Sequence, residues 1–303
     1  MQFTVTLVTP EPSALPTAQS RTTQALAARG VFPGAAVALG PGAMDMPVEA
    51  GGGALAGLRR AAQDAVWGLP VDVCVQPSEG RRKRLLISDM DSTIVACECI
   101  DELADYAGLK AEIAAITERG MRGEIDFEAG LRERVAMLKG LPQSDIDRCI
   151  AERVMVNPGA RTLVKTMTAS GARCLLVSGG FTLFVEHVSR DLGFDGFLSN
   201  VLEIEDDRLT GRVLGTVFGS PQKLATLTDE AAALGLELSQ TLAVGDGAND
   251  LAMIQAAGLG VAYRAKPVLA EQADVRVDHA DLTALLHFQG YRNFQGSWIG
   301  DFA

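Results

Sequence analysis

The 303-residue chain lacks any excess of positive charge: 27 Lys and Arg stand against 38 Asp and Glu, a formal balance of −11. That excludes the basic footprint expected of a general nucleic-acid binder. Histidine is scarce, and His187, His279 and His287 form no metal or triad pattern. The five cysteines are odd in number and scattered, which fits reduced thiols better than a disulfide framework. Cys97-Glu98-Cys99 is accompanied by no second Cys or His pair at ligand spacing, so it does not read as a zinc site. No uncharged apolar run reaches the ~18 residues of a membrane span. Gly30 to Met44 lacks charge, but Pro33, Gly40, Pro41 and Gly42 break it. No secretory leader pattern opens the chain, whose first basic residue is Arg21. A soluble cytoplasmic protein with no nucleic-acid or membrane partner is expected.

What is present is an apolar content of 48%, ample for a core. The length suggests about two domains on a ~150-residue prior. Residues 1–79 read as a small α+β unit. Phe3-Thr4-Val5-Thr6-Leu7 alternates as a half-buried strand should. A helix from Pro16 to near Gly30 follows, then two short strands flanking Gly40-Pro41-Gly42. After Gly51-Gly52-Gly53 come a second helix and an alternating strand at Val71, Val73 and Val75. The order βαββαβ is the ferredoxin-like plan, and in order and size it is similar to the amino-acid-sensing ACT domains. That likeness implies effector binding; a packing module, or one that pairs two copies in a homodimer, is the plainer alternative. The glycine run has no following Gly-Lys-Ser/Thr and is not a nucleotide P-loop. Arg81-Arg82-Lys83-Arg84 reads as a solvated linker between the two units.

Residues 84–303 change pattern to alternating strands and helices. Leu85 to Ser88, Arg173 to Ser178, Leu242 to Asp246 and Gly260 to Tyr263 read as buried strands. Short helical patterns fill about 98–154. Asn157-Pro158 starts a helix, a hairpin turns at Asp206-Asp207, and Ser220-Pro221 starts another helix. The fold class is α/β: a doubly wound parallel sheet with a helical cap inserted after its first strand, beside the N-terminal α+β unit.

Three strand ends deliver polar groups: Asp89 and Asp91, Ser178, and Asp246. In a parallel sheet these would converge at one carboxyl edge. Each alone has an ordinary explanation as turn chemistry, and Asn249 could simply cap a helix. Together they suit a hard metal ion and phosphoryl transfer, because paired carboxylates need a cation or proton between them. With Ser220 as N-cap, Lys223 falls in an opening helical turn, where the dipole disfavours a cation unless a phosphate is near. An ordinary exposed lysine is the alternative.

Asp89-Met90-Asp91-Ser92-Thr93, Ser178-Gly179-Gly180, Lys223 and Gly245-Asp246-Gly247-Ala248-Asn249-Asp250 resemble, in order, the motif set of the haloacid-dehalogenase (HAD) superfamily, and within it the phosphoserine phosphatases. The resemblance covers about residues 84 to 287 and implies a HAD-like fold. It implies Asp89 as a nucleophile forming an aspartyl-phosphate, and Asp91 as general acid and base. Mg²⁺ would bind Asp89, the main-chain carbonyl of Asp91, and Asp246, with Asp250 in support. Ser178, the Gly179 amide, Lys223 and Asn249 would hold phosphate, and Thr93 would orient Asp91 by a hydrogen bond. Met90, where many relatives carry Phe, should point away from the reacting groups.

Substrate choice should lie in the cap. Glu98 opens a helix, where an acidic residue is favourable anyway. Phe127, Leu131, Val135 and Leu138 make one helical face that Arg134 shares, while Arg132 points elsewhere. Arg134 beside that stripe could merely snorkel. The resemblance instead implies that Arg134 binds a substrate carboxylate and Glu98 its ammonium, with Met121 and Phe127 lining the pocket. The small-molecule partner would be a phospho-amino acid, and the reaction hydrolysis of O-phospho-L-serine in the last step of serine biosynthesis. The rivals are action on another small phosphate such as phosphohomoserine, by hydrolysis or transfer, and an amino-acid-responsive binding protein.

Overall fold

Strand β1 (Gln2–Val8) turns one set of side chains into a small core and the other toward the rest of the molecule. The structure is a computed structural model that describes residues 1–121, 124–292 and 294, the side chains of 118, 120 and 121 excepted. Helix α1 (Leu15–Ala27), strands β2 (Val37–Gly40) and β3 (Ala43–Glu49), helix α2 (Leu55–Val66) and strand β4 (Asp72–Pro77) complete the first unit. Its sheet is antiparallel in the order β2-β3-β1-β4. Phe3, Val5 and Leu7 face Leu26, Leu58 and the helices. Thr4 and Thr6 are buried as well, on the opposite face. Alternation predicts a half-buried strand; the second unit covers the threonine face and buries both.

The second unit begins with β5 (Leu85–Ser88). Helices α3 (Cys99–Tyr106), α4 (Lys110–Met121), α5 (Phe127–Met137) and α6 (Gln143–Arg153) form the insertion. Then follow α7 (Ala160–Ala169), β6 (Arg173–Phe181), α8 (Thr182–Leu192), β7 (Gly196–Glu205), β8 (Arg208–Leu214) and α9 (Ser220–Ala233). The chain continues through β9 (Thr241–Gly245), α10 (Leu251–Ala256), β10 (Leu259–Tyr263), α11 (Pro267–Ala270), β11 (Val275–Val277) and α12 (Ala284–Phe288). The sheet runs β11-β10-β9-β5-β6-β7-β8, parallel except for the β7–β8 hairpin. Asp206 and Asp207 turn that hairpin at φ 49° and 58°, the left-handed pair that a two-residue type I′ turn requires.

Strand β5 sits centrally and is buried on both faces. Leu86 joins the core beneath α7 and α8, while Leu85 and Ile87 join the core beneath α9 and α10. A continuous apolar run, rather than an alternating one, is what such a strand needs. Helix α7 starts at Ala160 with Gly159 as its cap, not at Asn157-Pro158. The side-chain amide of Asn157 instead donates to the Thr93 and Val95 carbonyls, at 2.8 and 3.2 Å, pinning the loop after β5. Among the described residues no helix is long and apolar enough to cross a membrane. Residues 293 and 295–303 of the expected 84–303 unit lie outside the described residues.

The basic run 81–84 links the two units with Arg82 and Arg84 exposed, as expected of a solvated linker, but Arg81 and Lys83 are not solvated. Arg81 is bidentate on Asp45, at 2.7 and 3.0 Å, and also donates to Thr6 and to the Phe288 carbonyl. Lys83 is buried and donates to the Ser239 carbonyl at 2.7 Å. Nearby, the Asp72 carboxylate accepts main-chain N–H bonds from residues 278 to 280. Gln76 donates to the Phe288 carbonyl, and Arg59 pairs with Asp274. The misreading has a physical cause: a charge cluster looks solvated in sequence when its partners lie ~40 and ~200 residues away.

Removing Arg81 leaves the buried Asp45 carboxylate without its cation, the costly way to break a buried pair. Arg81→Ala should lower unfolding stability by about 3 kcal/mol in urea denaturation. A loss within the roughly 0.5 kcal/mol typical of surface sites would show that the clamp contributes little.

Candidate active site

Strands β5 and β9 are direct neighbours, with Ser88 opposite Val244. Asp89 and Asp246, each one residue past its strand, therefore emerge side by side. The Asp89 N–H donates to the Val244 carbonyl at 3.0 Å, which fixes the first of them. On the other side of β5, strand β6 carries Ser178. One carboxylate oxygen from each of Asp89, Asp246 and Asp250 lies within 4.8 Å of the others.

Lys223 enters this group from α9. It is fully buried and donates to Asp89 and, at 2.7 Å, to Asp250. Burial pushes its ammonium down, but the Asp250 and Asp89 carboxylates more than reverse that and hold it above its ordinary value. The cap of α9 is Gly219, not Ser220, and the Gly219 N–H donates to the Gln222 side chain. Asp250 performs the local capping at Gly247: its second oxygen accepts from the Asp246 and Gly247 N–H groups, both at 3.2 Å. Asn249 is therefore not the cap; it lines the cavity.

Asp91 is held by two donors, the Cys99 N–H at 2.8 Å and the Ser178 hydroxyl at 2.9 Å. Burial and the nearby Glu98 raise its pKa above the usual carboxylate range, against the pull of those bonds. Asp246 is pushed up to about 6 by burial, with Lys266 opposing. Thr93 does not orient Asp91. Its hydroxyl is buried without a partner among the described residues, and Ser92 before it takes a left-handed conformation, φ 56°. Met90 is fully buried in the core.

The cap closes over this edge and leaves a cavity of about 760 Å³. Asp89, Asp91 and Asp246 line it from the sheet, and Glu98, Phe127 and Arg134 from the cap. Glu98 precedes α3 and accepts the Ser92 hydroxyl at 2.8 Å. Arg134 donates to the Gly130 carbonyl at 3.2 Å and to the Thr117 hydroxyl at 3.4 Å. Among the described residues no carboxylate lies within ion-pair distance of it. Arg132, which does not line the cavity, pairs instead with Glu128, which does. The Phe127 ring rests against two glycines: a Cβ at Gly179 or Gly219 would approach it to 3.1 or 3.2 Å. Met121 closes α4, and its side chain lies outside the described residues.

Two site residues carry no weight in the sequence argument. Asn200 donates to the Gly179 and Phe218 carbonyls and accepts the Phe218 N–H, tying the irregular end of β6 to the loop before α9. A lone Asn in a strand gives no sequence signal for this. Lys266 reaches Asp246 at 3.3 Å and Glu98 at 3.7 Å. It lies three residues beyond the end of β10, so the strand-end rule used for the other three strands would have found it.

Comparison with known proteins agrees with this geometry. The haloacid dehalogenase-like hydrolase family matches residues 86–255. The chain is 48% identical over 222 residues to the phosphoserine phosphatase SerB2 of Mycobacterium tuberculosis, a match spanning 73% of this chain but only 54% of that protein. It is 46% identical over 224 residues to the phosphoserine phosphatase of a Polaromonas species, covering 72% of this chain and 95% of that one. Among solved structures, a probable phosphoserine phosphatase from Vibrio cholerae superposes with a TM-score of 0.78 at 33% identity, over 96% of this chain and 87% of that one.

The crowded carboxylates generate a direct test. A hard divalent cation should raise thermal stability relative to chelator, by about 2.7 kcal/mol at a hundredfold excess over its dissociation constant. Asp246→Asn should abolish most of that gain. Equal melting temperatures of the native chain with cation and with chelator would show that these oxygens hold no metal.

Proposed function

The chain belongs to the haloacid dehalogenase-like hydrolases, and on that premise we propose that it hydrolyses O-phospho-L-serine to L-serine and phosphate. The observation that supports this reading is the one cavity bounded by Asp89 and Asp91 below and by Glu98 and Arg134 above. A zwitterionic phospho-amino acid carries three charged groups, and the cavity offers a complement to each. Arg134 suits the carboxylate because its fork can bind both oxygens. Glu98 suits the ammonium. Ser178, the Gly179 amide, Asn249 and Lys223 suit the phosphoryl oxygens. In the cell this would be the closing, cytoplasmic step of serine synthesis.

Asp89 attacks phosphorus, breaking the bond to the serine oxygen and forming an aspartyl-phosphate. Asp91, whose hold on a proton is strengthened by burial and the Glu98 charge, gives its proton to the departing alkoxide. It then takes a proton from the water that attacks the aspartyl-phosphate, releasing phosphate and restoring Asp89. Lys223 holds Asp89 in place and offsets the negative charge that gathers at phosphorus. Phe127 and the apolar face of α5 exclude competing water.

The oxygen-only donor set fits a hard cation, and Mg²⁺ is the proposed one. Asp89, Asp246 and the Asp91 carbonyl would hold it, with Asp250 steadying Asp246 through the main chain. When bound, it would supply the positive charge that lets a carboxylate approach a phosphate dianion.

Asp89→Asn should reduce turnover of phosphoserine by about 10⁴-fold or more while circular dichroism stays unchanged. Arg134→Ala should cost about 1.5–3 kcal/mol in kcat/KM for phosphoserine and far less for O-phosphoethanolamine, which has no carboxylate. Equal losses on the two esters would contradict the role given to Arg134.

A further inference from the structure

Among the described residues Lys266 is the one cation lining the cavity to which the proposed reaction assigns no task. Its main-chain N–H donates to the Asp246 carbonyl at 2.9 Å, and Pro267 follows it. Two residues earlier, Arg264 takes a left-handed conformation, φ 43°, and its N–H donates to Val277 at 2.9 Å. The backbone is thus fastened on both sides of the turn, and the half-exposed side chain lies along the cavity wall. Its ammonium stands 3.3 Å from one oxygen of Asp246 and 3.7 Å from Glu98. Lys223 cannot serve these two, being enclosed by Asp89 and Asp250.

We propose that Lys266 is a positioning residue that sets the charge of the site: it fixes Asp246 against Glu98 and balances binding of a divalent cation against binding of a phosphate dianion. Among the described residues six acidic side chains line the cavity; Asp126 caps α5 and Glu128 pairs with Arg132, which leaves Asp89, Asp91, Glu98 and Asp246 around the site. Such a surplus favours a cation and repels phosphate. A fixed ammonium beside Asp246 acts with opposite sign on the two ions. It weakens the pull on the metal and reduces the repulsion felt by the phosphate. A lysine that merely packed its stem along the rim would affect neither selectively.

The inference rests on the cavity being a phosphomonoester site, so its test uses Mg²⁺ and inorganic phosphate rather than phosphoserine. Calorimetric titration of the full chain with Mg²⁺ should show Lys266→Met binding the metal roughly three- to fivefold more tightly. Phosphate titrated into the Mg²⁺-saturated variant should bind more weakly by roughly the same factor. Lys266→Arg should return both constants toward those of the native chain. With any accepted phosphomonoester, KM should rise for Lys266→Met and kcat should change less. Unchanged constants, or losses of both ions together with loss of thermal stability, would overturn the proposal. A native chain that binds both ions but leaves phosphoserine intact would refute the substrate assignment and leave this test valid.

Discussion

The constraint on which the rest of the molecule depends is electrostatic: the ends of two adjacent parallel strands place carboxylates side by side in a buried site. Asp89 and Asp246 follow neighbouring strands, and Asp250 folds back beneath them. Buried charges of one sign are tolerated only when paired. Lys223 supplies the pairing from below, fully enclosed between Asp89 and Asp250. Asp89 and Asp246 also line the cavity, where the proposed divalent cation would offset their remaining charge. The same arrangement that keeps the fold intact therefore prepares the metal and phosphate chemistry.

Around that centre each layer has a defined task. The parallel sheet sets the strand ends in register. Asn157 fastens the loop that carries Asp91, and Asn200 the end of the strand that carries Ser178. The helical insertion brings Glu98, Phe127 and Arg134 over the edge, and glycine at 179 and 219 leaves room for the Phe127 ring. The first unit is joined to the second through buried polar contacts, among them Arg81–Asp45 and Asp72 with the 278–280 main chain. Asp274 and residues 278–280 flank β11, whose neighbour β10 leads directly to Lys266. The small sheet thus grips the segment that carries one wall of the cavity.

Much of the fold was legible in sequence because its signals are local. Continuous apolar runs mark strands buried on two faces, and Asp89, Ser178 and Asp246 announce themselves by following such runs. The βαββαβ order was equally readable from alternation and turn residues. What escaped depends on distant partners. Arg81 and Lys83 read as solvated because Asp45 and the Ser239 carbonyl are remote in sequence. Thr4 and Thr6 read as surface because nothing local shows that a second unit covers them. Thr93 illustrates a different limit: the family resemblance implies a bond to Asp91, but the donors to Asp91 are Cys99 and Ser178 and the Thr93 hydroxyl has no partner among the described residues. Lys266 stands three residues past its strand, a weaker signal than the polar groups that close theirs directly.

The proposed chemistry rests on the Asp89 carboxylate accepting the phosphoryl group to form a covalent intermediate. Its most direct test is rapid acid quenching of the native chain with phosphoserine and Mg²⁺, followed by mass spectrometry of the peptide that contains residue 89. The account predicts a transient phosphoryl group on Asp89 that disappears as serine accumulates. Turnover with no modified peptide, or with the phosphoryl group on Ser178 instead, would contradict it.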